Sequence, residues 1–264
     1  ELIGKSFDSI QLIANIANSQ QDKNFFKIFK NLDTKVKIKI NEIKLDKENI
    51  VNNLKGNLQI RNSKIFSLNL NSNFTSNEKL FISIKTQKNN AVVTTFYSDR
   101  AKPFVKKYKF IKGFEGGNLD FSSQKINNVS KSKLIIDNFK VQEIPVLAKI
   151  LTLASLQGIA DLLTGEGVRF TDFEMISTKK DSLTTIQEIY AIGPAISIMM
   201  EGYVEGKDIV SLRGTLVPAT TINRSISSIP LLGDLLVGKK VGEGVFGVSF
   251  KIKGPPKDLK TSVN

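Results

Sequence analysis

The sequence predicts a mainly β protein with a few helices, built as an elongated curved antiparallel sheet whose apolar side forms an open groove. Three observations carry this expectation. Apolar and polar side chains alternate with a period of two through most of the chain, the pattern of strands with one wet and one apolar face. Clusters of Asn, Ser, Asp and Lys separate the alternating runs at short intervals, as antiparallel turns require. No second set of strands is evident to cover the apolar side, so that side needs some other partner.

The first thirty residues are the exception. Phe7, Ile10, Leu12, Ile13 and Ile16 recur near helical spacing, and Phe25, Phe26, Ile28 and Phe29 form a second apolar cluster among Lys23, Lys27 and Lys30, so helix is expected there. From Thr34 the period changes to two: Val36, Ile38 and Ile40 alternate with Lys35, Lys37, Lys39 and Asn41. Similar runs follow at Asn57–Arg61, Lys64–Asn71, Lys79–Lys85 and Ala91–Tyr97, a meander of short antiparallel strands.

Two helices interrupt the meander. Between Asp99 and Gly117, Phe104, Val105, Tyr108 and Ile111 share a face while Lys102, Lys106, Lys107, Lys109 and Lys112 fill most other positions. That is a short basic amphipathic helix ended by Gly113, which either lies on anionic headgroups or, more simply, packs on the sheet with a solvated lysine face. Gly116 and Gly117 then permit tight re-entry into strand, with Leu119 and Phe121 alternating and a further strand over Lys133–Val141. The second helix is expected over Pro145–Leu163, with Pro145 at its first position and Gly165 as its C-terminal cap. Leu147, Ile150, Leu151, Leu156, Ile159 and Leu163 cover more than one stripe of it, so it is either a plug or gate in the groove or an ordinary closure of the core. Lys149, Gln157 and Asp161 argue against a transmembrane span, and Gly158 suggests close packing.

Strands resume at Val168, Phe170 and Phe173, then over Leu183–Ile192, Ile196–Gly206, Ile209–Val217 and Val245–Ile252, with Pro255 and Pro256 ending the pattern. Met199 and Met200 belong to a buried strand. A mixed segment over Ile222–Val237 holds Ile226, Ile229, Leu231, Leu232, Leu235 and Leu236. The organisation expected is an N-terminal half of the groove (residues 1–141), an apolar helix (142–166) and a C-terminal half (167–264). Both ends read as cut points, with any membrane anchor outside the sequence.

Composition narrows function. The chain has no His, Cys or Trp among its 264 residues. Imidazole bases, thiol nucleophiles, Ser-His-Asp relays and His or Cys metal sites are therefore excluded. Asp99, Asp137 and Asp161 are scattered and suggest no paired carboxylates, so no catalytic residue is nominated and an enzyme is not expected. Gly238–Gly247 is followed by strand and lacks the Lys-Ser/Thr pair of a phosphate loop, so it reads as a turn. The net charge of +13 points to an anionic partner, but only five of the 38 basic residues are Arg (Arg61, Arg100, Arg169, Arg213, Arg224). Lys, Asn and Ile are enriched together, as codon composition alone produces, and dispersed lysines without interleaved aromatics do not suit nucleic acid.

Three blocks carry a family resemblance. SDRAKPFVKKYKFIKGFEGGNLDF (Ser98–Phe121), NFKVQEIPVLAKILTLASLQGIADLLTGEGVRFTDF (Asn138–Phe173) and Leu212–Asn264, with LRGTLVPA, IPLLGDLLVG and GEGVFGVSFKIKGPPKD, resemble in the same order the AsmA-like family, YhdP-type C-terminal region. The charge is higher than is usual there, and the continuation after the final Val-Asn is missing. That resemblance implies a β-taco-like groove related to TamB and bridge-like lipid-transfer proteins. It implies the periplasmic portion of an inner-membrane-anchored protein that carries phospholipid between inner and outer membranes, without cofactor or metal.

The expected groove liners are Val36, Ile38, Ile40, Leu68, Leu70, Leu80, Ile82, Ile84, Ile196, Ile198 and Met200, although a one-residue slip in register would swap the faces. The alternative is a structural or assembly scaffold for outer-membrane biogenesis, whose sheet binds proteins rather than lipid.

Overall fold

The computed structural model describes residues 1–9, 33–62, 64–105, 112–206, 208–218, 247–256 and 258–263. Among them the chain is mainly β, with one unclosed sheet whose fourteen strands are hydrogen-bonded in chain order and with three helices. The strands are β1 (Leu2–Asp8), β2 (Thr34–Lys44), β3 (Ile50–Arg61), β4 (Lys64–Asn73), β5 (Lys79–Thr86), β6 (Val92–Ser98), β7 (Lys112–Ile126) and β8 (Val129–Gln142). They continue as β9 (Val168–Lys180), β10 (Leu183–Ile192), β11 (Ile196–Glu205), β12 (Ile209–Pro218), β13 (Val248–Gly254) and β14 (Lys260–Val263). The helices are α1 (Lys102–Val105), α2 (Pro145–Leu153) and α3 (Gln157–Thr164). The contacts divide the chain into two compact units, Glu1–Lys109 with Gly116–Leu134, and Phe110–Glu115 with Ile135–Asn264.

In the first unit β2 to β6 form the expected meander. The asparagines that composition alone explains as codon bias have a local use here: Asn62, Asn90 and Asn127, in the turns after β3, β5 and β7, all take positive φ, which Asn tolerates better than other side-chain-bearing residues. The helical expectation for the N-terminus is corrected at Phe7, which lies in β1, parallel to β2 from Leu2 opposite Ile38 to Asp8 opposite Lys44. Pairing with a distant strand decides this segment, and local spacing cannot show that. The chain between β1 and β2 is long enough for the crossover that parallel neighbours need. Ile10 to Lys30, read as helical, lie outside the described residues.

Of the basic amphipathic helix, Lys102–Val105 is helical, and Phe104 meets Phe96 edge-on at 4.6 Å. Residues 106–111 lie outside the described residues, and Lys112 and Gly113 belong to β7 instead of the helix end. Gly116 and Gly117 (φ 71° and 77°) consequently sit inside β7 as an irregularity and do not restart it.

In the second unit Phe114, Phe139 and Phe170 stack at 5.3 and 5.4 Å. The single helix expected over Pro145–Leu163 is corrected to two, broken at Ala154–Leu156 with Ser155 at φ 59°. Leu147, Ile150, Leu151, Ala160 and Leu163 are buried, and α2 and α3 pack on each other. The apolar residues wrap more than one stripe because they serve two helices in contact. Gly158 marks no close packing, since a Cβ there would meet nothing within 4 Å. Gly165 is the C-cap as expected. The sheet does not end at Pro255 and Pro256: the Asp258 N–H closes a turn on the Pro255 carbonyl and β14 pairs with β13. The mixed segment Ile222–Val237, and Gly238–Gly247 except its last residue, lie outside the described residues. No helix among the described residues is long and apolar enough to cross a membrane.

Candidate functional site

Register in the first unit aligns the alternating residues into rows that cross the sheet. One row runs Val36, Leu58, Leu68, Ile84, Thr94, Ser123, and the next Ile38, Gly56, Leu70, Ile82, Phe96, Phe121. A third holds Ile40 opposite Leu54, and Ser72, Leu80, Ser98 and Leu119 in register. Cross-strand partners share a face, so eight of the expected liners, Val36, Ile38, Ile40, Leu68, Leu70, Leu80, Ile82 and Ile84, stand on one side of β2, β4 and β5. Leu58 and Phe96 complete it. Sequence reading missed them because alternation orders residues within a strand, while only register shows which residues of the neighbours lie beside them.

The opposite side of the same strands is mostly polar, with Phe81 of β5 an apolar residue on it. Lys35 faces Gln59, Lys37 faces Asn57 and Lys39 faces Lys55, and Asn69, Asn71, Lys79 and Lys85 continue the surface. Like charges directly opposite each other destabilise a sheet. Glu1 relieves one such pair by reaching Lys39 at 3.1 Å, and that hydrogen bond first, then the Coulombic attraction, holds its carboxyl below the ordinary value.

Coverage of the apolar side is graded. Ile40, Leu54 and Leu80 are buried with Phe74, and Ile38, Leu70, Phe96 and Phe104 pack against that cluster. Val36, Ile38, Leu58, Leu68, Leu70, Ile82 and Ile84 remain only half-buried. Their neighbours shield them laterally, and each keeps an accessible apolar surface. The closed end is tied down by a network in which Arg100 donates two hydrogen bonds to Glu78 (2.9 and 2.6 Å), Thr75 donates to Glu78, and Asp99 accepts from the Lys79 N–H and the Tyr97 hydroxyl. Those donors, Arg100 first, hold the Glu78 carboxyl below its ordinary value.

The second unit has an apolar side of the same construction but a covered one. Ile198 lies beside Ala191 and Leu216, and Met200 beside Ile189 and Gly214. Ile196 and Leu216 are 0% exposed and Ile198 8%, whereas Met200 is half-buried. Of the liners in this unit, Ile196 and Ile198 are therefore enclosed by protein. In the helices, Leu147, Ile150, Leu151 and Leu163 are buried, Leu156 and Ile159 half-buried. Asp99 lies in the bend between β6 and α1, Asp137 in β8 and Asp161 in α3, and no group of His, Cys, Asp or Glu suited to a metal occurs among the described residues. Among the described residues of the first unit the arrangement offers a partly accessible apolar surface. Comparison with family models, curated proteins and solved structures finds no match for the chain.

Proposed function

We propose that this chain is a non-enzymatic lipid-handling segment that holds phospholipid acyl chains against the apolar side of its first unit. In that reading it serves as an AsmA-like, YhdP-type periplasmic portion of an inner-membrane-anchored protein, passing lipid between inner and outer membranes. The observation that carries it is the incomplete burial of Val36, Ile38, Leu58, Leu68, Leu70, Ile82 and Ile84 on one side of β2–β5, opposite a lysine and asparagine surface. Each methylene removed from water contributes about 0.8 kcal/mol, so a sixteen-carbon chain gains on the order of 10 kcal/mol there. An open face also lets a chain shift between neighbouring rows with little net change, which a closed pocket does not.

Native mass spectrometry of protein extracted gently from membranes tests this. Lipid adducts on the wild type that disappear in Ile82→Glu are expected; a lipid-free wild type would reject the reading.

A scaffold that binds proteins has its own supporting observation. Edge strand β1 leaves Leu2 49%, Ile3 71% and Phe7 43% exposed, and an exposed apolar edge is a template for strand addition. Photo-crosslinkers at Ile82 and Ile3 separate the two: lipid adducts at Ile82 favour lipid handling, and discrete protein adducts at Ile3 without lipid at Ile82 favour the scaffold.

A further inference from the structure

Following the outermost complete row across the first unit, the chemistry changes in one direction. Val36, Leu58, Leu68 and Ile84 on β2–β5 are aliphatic; Thr94 on β6 and Ser123 on β7 bear hydroxyls. Ser123 Oγ lies 2.9 Å from Ser130 Oγ and accepts a hydrogen bond of 3.0 Å from Ser132 Oγ, so all three hydroxyls stand on the side of the sheet that carries the row. They are half-buried. Two residues beyond Ser123 on β7, and therefore on the same side, Lys125 pairs with Val92 and is exposed. Alternation puts Lys35, Lys37, Lys39, Lys55, Lys79 and Lys85 on the other side, so Lys125 is the basic side chain that stands on the apolar side next to the hydroxyl end of the row.

We infer that Lys125 with Thr94, Ser123, Ser130 and Ser132 forms a headgroup subsite for an anionic acyl lipid, whose chain lies along the row toward Val36. The inference rests on the lipid-handling reading and adds orientation and head chemistry to it. Dimensions agree. Four strand spacings from β2 to β6 span about 19 Å, and one leaflet's share of a bilayer hydrocarbon core is roughly 15 Å. A chain of that length fills the aliphatic positions and brings its head to the hydroxyls. A phosphate or carboxylate oxygen is a stronger acceptor for these O–H groups than another serine, and the lysine supplies the opposite charge. Ligand binding would redirect the Ser130 and Ser132 hydroxyls from their bonds with Ser123 to the head. An uncharged head gains only the weaker hydrogen bonds.

The test is equilibrium binding of phosphatidylglycerol and of an uncharged monoacylglycerol, both presented below micelle-forming concentration. The proteins are the wild type, Lys125→Glu, Ser123→Ala with Ser132→Ala, and Ile84→Glu. Thermal unfolding is recorded for each so that loss of fold is recognised. Lys125→Glu is expected to weaken phosphatidylglycerol roughly tenfold and leave the monoacylglycerol unchanged, with the double serine variant in the same direction. Ile84→Glu should abolish both. Inorganic phosphate at millimolar concentration should not displace phosphatidylglycerol, since the chain supplies most of the affinity; displacement would mean a free-phosphate site and overturn the lipid assignment. If Lys125→Glu and the serine variant bind both lipids as the wild type does, while Ile84→Glu binds neither, the subsite is wrong and the apolar face stands. If the wild type binds neither lipid, both proposals fall.

Discussion

Gly56 gives the sharpest test of the packing that creates the apolar face. It sits mid-strand in β3, paired with Leu70 of β4 and flanked along its row by Ile38. A Cβ built there would lie 1.8 Å from the Asn69 carbonyl oxygen, 2.8 Å from its carbon and 2.9 Å from Leu70 Cδ2, where ordinary contact begins near 3.4 Å. In Gly56→Ala the neighbouring backbone, which cannot rotate away as a side chain could, must therefore retreat by about 1.6 Å. Separating β3 from β4 by that much loses roughly two ladder hydrogen bonds at about 1 kcal/mol each, and overpacking adds about 1–3 kcal/mol. A destabilisation of about 3–4 kcal/mol follows, or a fall of roughly 6–15 °C in melting temperature for a chain of this size. Urea and thermal unfolding measure it. Gly158→Ala is the opposite-signed control: nothing lies within 4 Å of its Cβ, and Ala is the better helix former, so a gain of a few tenths to about 1 kcal/mol is expected in α3. A Gly56→Ala protein within about 0.5 kcal/mol of the wild type would refute the reasoning.

Leu216 is fully buried and Leu68 only half-buried, so Leu216→Ala should cost about 2–5 kcal/mol and Leu68→Ala less than half as much by urea unfolding; equal losses would mean that the first unit's face is as covered as the second's. Because hydrogen bonds from Arg100 depress Glu78 from 4.5, the wild type's advantage over Glu78→Gln should be present above pH 4.5 and disappear as pH falls through the lower folded-state value. The pair is partly exposed, with side chains at 39% and 34%, so that advantage should stay below about 1 kcal/mol; a difference unchanged down to pH 2 contradicts the assignment. Burial, then the hydrogen bond to Glu174 at 3.1 Å, pushes Tyr190 up to about 12. Its neutral phenol is preferred in the folded state, so stability relative to Tyr190→Phe should decline between pH 10 and 12; ultraviolet titration finding Tyr190 ionised near pH 10 would count against it.

The sequence by itself determined the β character, most strand positions and the two-faced chemistry of β2, β4 and β5, because a period of two is a local property of each strand. Leu183–Ile192 was legible to the residue, and Val36, Ile38 and Ile40 were correctly placed together on one side. The absence of His and Cys likewise limited the chemistry without any coordinates.

What tertiary structure decided was everything set by pairing or coverage. Phe7 became part of a parallel edge strand through contact with β2, remote in sequence. The apolar run after Pro145 became two helices because Ser155 adopts a left-handed backbone, which no spacing rule anticipates. Alternation marks Ile82 and Ile198 alike, yet Ile198 is enclosed and Ile82 is not. Periodicity reports which way a side chain points from its own strand; whether anything lies over it depends on segments far away along the chain. The row that passes from Val36 to Ser123 exists only because register aligns six strands, and register is a property of neighbours.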